Sequence, residues 1–140
     1  MIASSGRRIL VCGDRRWSDR GAIHTELEFM HGEHALACVI HGAAPGADSF
    51  AGEWARLRGV PEIACPADWE HMGRRAGPAR NARMMAEEKP DIVLAFHDDI
   101  HKSAGTGDMV SRALRKGVRV LLWTHRHGVS DVRTLAAATP

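Results

Sequence analysis

The sequence predicts an α/β protein, a three-layer sandwich built on a parallel sheet of about five strands. Three observations point there. Short apolar runs recur along the chain. Stretches with apolar residues at helical spacing separate them. Glycine-rich or polar segments follow the runs, and in a parallel sheet these gather at one edge.

The first run, Arg8–Cys12, is almost continuously apolar, as suits a strand covered on both faces. Ile23, Leu27 and Met30 then share one face of a helix. Ala37–His41 reads as the second strand. In the second helix Phe50, Trp54 and Leu57 fall on one face, with Ala47, Ala51 and Ala55 beside them. Glu62–Cys65 reads as the third strand. A long loop, Pro66–Gly77, leads into a third helix over residues 79–88, which must stop before Pro90. Ile92–Phe96 is the fourth strand. The fourth helix spans residues 106–116, with Val110, Ala113 and Leu114 inward and Gly117 as its stop. Val118–Trp123 is the fifth strand. Residues 124–140 are polar and then alanine-rich, and read as a terminal helix or a frayed tail. The core thus covers residues 7–123 of a single domain.

The 140 residues suffice for one core without staples. Nineteen basic and 17 acidic residues give a formal charge of +2, too mild to mark a dedicated nucleic-acid binder. Sixteen arginines stand against three lysines. Arginine offers phosphate or carboxylate a planar fork, although GC-rich coding gives the same bias. Cys12, Cys38 and Cys65 sit in or beside apolar runs without CxxC spacing, which predicts buried free thiols and a reducing, cytoplasmic setting. No apolar stretch approaches the roughly 18–20 residues of a membrane span. The opening MIASSGRR lacks the long apolar region of a signal peptide.

Chemistry concentrates after the strands. The candidate ligand-binding residues are Gly13, Asp14, Arg15 and Trp17; His41, Gly42, Ala43, Gly46, Ala47 and Asp48; Arg80 and Asn81; and His97, Ser103, Gly105, Thr106, Gly107 and Asp108. Asp48, Arg80 and Asp108 are also the candidate catalytic residues. Gly42–Gly46 and Gly105–Gly107 each run into a helix start, where glycine lets backbone approach a ligand and free N–H groups attract an anion. Tight β–α turns explain the same glycines. Neither segment is a P-loop or a dinucleotide fingerprint. Asp48 and Asp108 read as first-turn residues, either compensating the helix dipole or holding ribose hydroxyls. Because a carboxylate repels phosphate, the anion is expected at one helix start and the sugar at the other. Arg80 and Asn81 read either as a solvated charge and a cap or as an anion contact. Trp17 and Trp69 could stack on a base or cover the core edge. No metal site and no cofactor are expected, the histidine spacings matching no metal motif, and the absence of a GxSxG elbow speaks against a Ser-His-Asp triad.

The ordered segments GDR (13–15), HGAAPGAD (41–48), GPARN (77–81) and SAGTGDM (103–109) resemble the small SLOG-superfamily proteins related to the YspA group, found in phages and bacteria. Residues 41–60 are also similar to the glycine-rich segment of the DNA-processing protein of natural transformation. GTGDM resembles the PGGxGTxxE motif of the cytokinin-activating phosphoribohydrolases. The resemblance implies a Rossmann-like fold, a nucleotide-type ligand and homo-oligomers. It also places the phosphoribohydrolase glutamate on Met109, which cannot act as an acid, and matches that family's arginine to Arg80.

Three functions follow. The first is a binding module for an ADP-ribose-like or nucleoside-monophosphate-like ligand, acting as a sensor or sequestering protein. The second is a nucleoside 5′-monophosphate phosphoribohydrolase or other N-glycosidase, with Asp48 or Asp108 stabilising an oxocarbenium-like transition state. The third, less favoured, is single-stranded DNA binding through Trp17, Trp69 and the arginines of residues 74–83.

Overall fold

In the computed structural model, which describes residues 6–135, the sheet has six strands in the order β3-β2-β1-β4-β5-β6. The first five are β1 (Arg8–Gly13), β2 (Cys38–His41), β3 (Glu62–Ala64), β4 (Ile92–Phe96) and β5 (Arg119–Thr124). They pair in parallel, as their apolar runs predict. β1 lies between β2 and β4, so the chain winds outward one way from β1 and then the other way from β4. The register Gly13↔Phe96 brings the carboxyl tips of β1 and β4 together. That reversal opens a crevice where ligands bind in sheets of this class.

The described residues include five α-helices, all but the short α3 burying side chains: α1 (Arg20–His34), α2 (Ala47–Arg58), α3 (Trp69–Met72), α4 (Ala76–Arg83) and α5 (Ala104–Arg115). Alternate β1 side chains point to opposite layers. Ile9 and Val11 pack with Ile23, Leu27 and Met30 of α1 and with Ala47, Ala51, Trp54 and Ala55 of α2. Leu10 packs on the other layer with Met84, Met85, Met109, Val110 and Ala113. The α2 face differs from expectation: alanines and Trp54 face inward while Leu57 is 67% exposed. Small side chains let α2 lie close to the sheet, which turns Leu57 outward.

Three further departures matter. Gly128–Val132 forms a sixth strand, β6, antiparallel to β5, where the sequence suggested a terminal helix or tail. Its turn uses Gly128 at φ +66, and only Val132 is buried, so its apolar alternation is faint. The expected loop 66–77 contains α3 and a 3-10 turn over Gly73–Arg75. The third helix starts earlier than predicted and continues as a π-helical segment over Met84–Glu88, ending at Lys89 with φ +47. The three cysteines are free thiols; Cys38 is buried, and Cys12 and Cys65 are half-buried. No described helix is long and apolar enough to cross a membrane. The beginning of the MIASSGRR segment and the last five residues of the tail lie outside the described residues.

Candidate functional site

A cavity of about 470 Å³ opens at the carboxyl tips of β1 and β4. Its wall takes in twelve of the sequence-predicted residues: Gly13, Asp14 and Arg15; Gly42 and Asp48; Arg80 and Asn81; His97; and Ser103, Gly105, Thr106 and Asp108.

The β1 tip is shaped by backbone contacts. A side chain on Gly13 would collide with the Phe96 carbonyl and with Ala47. The Asp14 N–H donates to the Phe96 carbonyl at 2.9 Å, and the Asp14 carbonyl receives the Trp17 and Ala47 N–H groups. Asp14 Oδ1 accepts the Arg16 N–H at 2.9 Å. Across the crevice, the Asp99 N–H donates to His97 Nδ1 at 3.0 Å. The Nε2 of that ring stands 4.0 Å from Asp14 Oδ2.

Asp48 turns inward. It is 5% exposed, and its Oδ2 accepts the Gly42 N–H at 2.9 Å and the Ala44 N–H at 3.2 Å. Burial pushes its carboxyl above the ordinary range, against those two bonds and the nearby His41 and Arg80. Two N–H groups of the loop before α2 are therefore taken by the protein's own side chain. Burial and the neighbouring Asp48 charge push the Cys12 thiol up, which makes it a poor nucleophile.

A second network spans the cavity floor. Arg80 Nε donates to Asn81 Oδ1 at 2.9 Å, and its Nη1 donates to the Gly42 and Cys65 carbonyls. Asn81 Nδ2 donates to Asp108 Oδ2 at 3.0 Å, and Arg112 Nε reaches the same oxygen at 2.8 Å. Burial lowers the Arg80 pKa, as do Arg15 and Arg83, while Asp48 opposes the shift. Asp108 lies one turn into α5 rather than in its first turn, because the helix begins at Ala104.

The first turn of α5 carries no acidic side chain. Ser103 Oγ caps the Thr106 N–H, and Gly105 and Thr106 line the cavity. Lys102, Arg74 and Trp69 also belong to the wall, and Trp69, 49% exposed, has the Arg15 guanidinium 5.9 Å from its ring centroid.

Six predicted residues lie outside the wall. Trp17 is 6% exposed, wedged against Phe96, Trp123 and His125, with its indole N–H on the Asp19 carbonyl. His41 is buried between the Ala43 N–H and Glu62 Oε2. The hydrogen bond to His41 holds the Glu62 carboxyl below its ordinary range, helped by Arg56. Ala43 and Gly46 bend the loop at φ +57 and +78, Ala47 is buried under β1, and Gly107 lies within α5. These residues shape the site from behind. Arg74, read in the sequence only as part of a nucleic-acid surface, joins the wall, and sequence reasoning missed others there, among them Arg16, Gly77, Pro78, Met84 and Lys102. The GPARN segment was the one available signal, because Gly77 and Pro78 share α4 with Arg80. Among the described residues, no group of three or more His, Cys, Asp or Glu side chains is placed to hold a metal ion.

Residues 7–71 match the YspA, cpYpsA-related SLOG family. The Gene 61 protein of Mycobacterium phage D29 is 36% identical over 122 residues, covering 82% of this chain and 94% of that one. DNA processing protein A (DprA) from Streptococcus pneumoniae shares the fold, with a TM-score of 0.63 and 20% identity over 84% of this chain. The match takes in 50% of the DprA chain, so this chain spans about half the length of that relative. Glycinamide ribonucleotide transformylase 1 from Symbiobacterium toebii overlaps with a TM-score of 0.47 and 20% identity, over 86% of this chain and 52% of that one.

Proposed function

Because the chain belongs to the YspA, cpYpsA-related SLOG family, we propose that it binds a nucleotide or nucleotide-derived ligand, in the size range of a nucleoside monophosphate or ADP-ribose, as a sensor or sequestering module. Family membership fits nucleotide-related binding in general. The observation that carries the finer reading is the asymmetry of the two glycine-rich helix starts. At α2 the loop N–H groups are turned onto Asp48. At α5 the first turn carries no acidic side chain and lines the cavity, whose wall also holds Lys102 and Arg74. A phosphate group belongs at α5, where helix N–H groups and cations act together. Five cationic side chains line the cavity (Arg15, Arg16, Arg74, Arg80 and Lys102) against three carboxylates (Asp14, Asp48 and Asp108). That balance favours an anionic ligand. The rim indole of Trp69 offers a flat surface to a base.

Hydrolysis has less support. Met109 is buried, and Asp48 and Asp108 are committed to internal hydrogen bonds. A panel of nucleoside mono- and diphosphates and ADP-ribose, followed by thermal shift, tests the reading, because a ligand that binds the native state raises its stability by mass action. Single-stranded oligonucleotides belong in the same panel. Binding confined to them and collapsing with added salt would favour a nucleic-acid surface instead.

A further inference from the structure

We propose that Asp14 and His97 form a two-point clamp for one sugar hydroxyl, so that the site selects ribose over a deoxy sugar; this rests on the nucleotide reading above. β1 and β4 are paired neighbours whose register ends at Gly13↔Phe96, and the next residue of each strand is Asp14 or His97. The topology therefore sets these two side chains across the crevice from each other, both in the cavity wall.

Their chemistry is complementary. Asp14 Oδ1 is engaged by the Arg16 N–H, which leaves Oδ2 as the acceptor facing the crevice. The Asp99 N–H donates to His97 Nδ1, so the proton of the neutral ring sits on Nε2. An acceptor and a donor thus stand 4.0 Å apart. That gap is too long for a direct hydrogen bond, yet one oxygen about 2.8 Å from each would bridge it, with an angle at that oxygen of about 90°. The bridging group must donate to the carboxylate and accept from the imidazole. An alcohol does both, whereas an ether does only one and a phosphate is repelled by Asp14. The cavity's other carboxylates do not compete for this role. Asp48 holds two backbone N–H groups, and Asp108 holds Asn81 and Arg112. A site built to hydrogen-bond a hydroxyl discriminates against the analogue that lacks it, because its polar groups are then left unpaired.

The test is calorimetric titration of the full chain with AMP, 2′-deoxy-AMP and 3′-deoxy-AMP, and with the three guanosine counterparts. The clamp predicts that one deoxy form binds at least about tenfold more weakly than its ribonucleotide. Asp14→Asn keeps the oxygen that receives the Arg16 N–H but places a donor opposite His97. His97→Asn keeps an acceptor for the Asp99 N–H but removes the Nε2 donor. Both variants are expected to bind ribo and deoxy forms within about twofold of each other, their circular dichroism unchanged. Equal affinity of the wild type for all three sugars, or discrimination that survives both substitutions, overturns the clamp and leaves the nucleotide reading standing. Failure of all six nucleotides to bind overturns the clamp, and failure of ADP-ribose as well overturns the nucleotide reading.

Discussion

His125 lies flat on Trp17, with ring centroids 4.8 Å apart and 15° between the planes. Its Nδ1 meets Asp98 Oδ2 at 2.8 Å and its Nε2 meets Asp19 Oδ2 at 2.7 Å. Asp19 also caps α1 by accepting the Ala22 N–H. The ring therefore ties the β5–β6 turn to the loop after β4 and to the start of α1, behind the crevice. Two carboxylates facing both nitrogens favour the imidazolium, and the hydrogen bonds to Asp98 and Asp19 hold its pKa above the ordinary 6.5.

The pH dependence follows in sign. A raised histidine pKa contributes stability that is fully present below the unfolded value of 6.5 and is lost as pH rises through the folded value. The carboxyls of Asp19 and Asp98 are shifted down, so their contribution is present above 3.8 and is lost as pH falls through their folded values. Urea denaturation of wild type and His125→Gln should show a larger difference at pH 5.5 than at pH 9. A difference independent of pH would contradict the imidazolium clasp.

Asp48 should behave as a structural acceptor. Asp48→Ala strands the Gly42 and Ala44 N–H groups, at a cost of about 1–3 kcal/mol for each stranded donor. Asp48→Asn keeps an acceptor oxygen for both N–H groups, and should stay within about 1 kcal/mol of wild type near neutral pH. Chemical denaturation of the two variants checks this order. Nucleotide affinity should survive in Asp48→Asn, unlike the loss expected of a catalytic or sugar-binding carboxylate.

Gly46 stands at φ +78, and any side chain there meets the carbonyls of Asp14 and Arg15. Gly46→Ala is expected to cost about 1–3 kcal/mol through backbone strain at that position. Gly59, at φ +71 and ψ +23 in the left-handed helical region that other residues can enter, has open space around its Cβ direction, so Gly59→Ala is expected to cost less. The comparison needs only their urea midpoints, and equal losses would contradict the tight fit at Gly46.

Arg80→Ala should weaken both fold and binding. The guanidinium satisfies the Gly42 and Cys65 carbonyls and orients Asn81, which in turn holds Asp108. The expected loss of stability is about 1–3 kcal/mol, with Arg80→Lys intermediate because a single ammonium cannot span the same acceptors. Melting curves with and without AMP distinguish the two contributions.

What the sequence disclosed and what it hid have physical causes. β2 and β4 are buried along their whole length, so their runs read directly as strands. β6 buries only Val132, and α3 buries nothing, so neither leaves an apolar period. The glycine-rich loops gather at one edge of the sheet, beside the cavity, because the five parallel strands all end there. Spacing did not distinguish Asp48, folded back onto its own loop, from Asp14, which faces the crevice; hydrogen-bond direction decides that. Nor did it separate the two loop tryptophans. Trp17 is enclosed only because β4 and β5 bring Phe96 and Trp123 against it, whereas Trp69 sits on a helix with no core contact.

The most direct test of the central claim is native mass spectrometry of the purified chain with AMP and ADP-ribose, beside a Lys102→Glu, Arg74→Glu variant. Both substituted side chains line the cavity and take no part in the core. The account predicts a one-to-one nucleotide adduct with the wild type that is lost in the variant while its charge-state distribution stays that of a folded protein. No adduct with the wild type at millimolar nucleotide, or an undiminished adduct in the variant, would contradict a phosphate site at the start of α5.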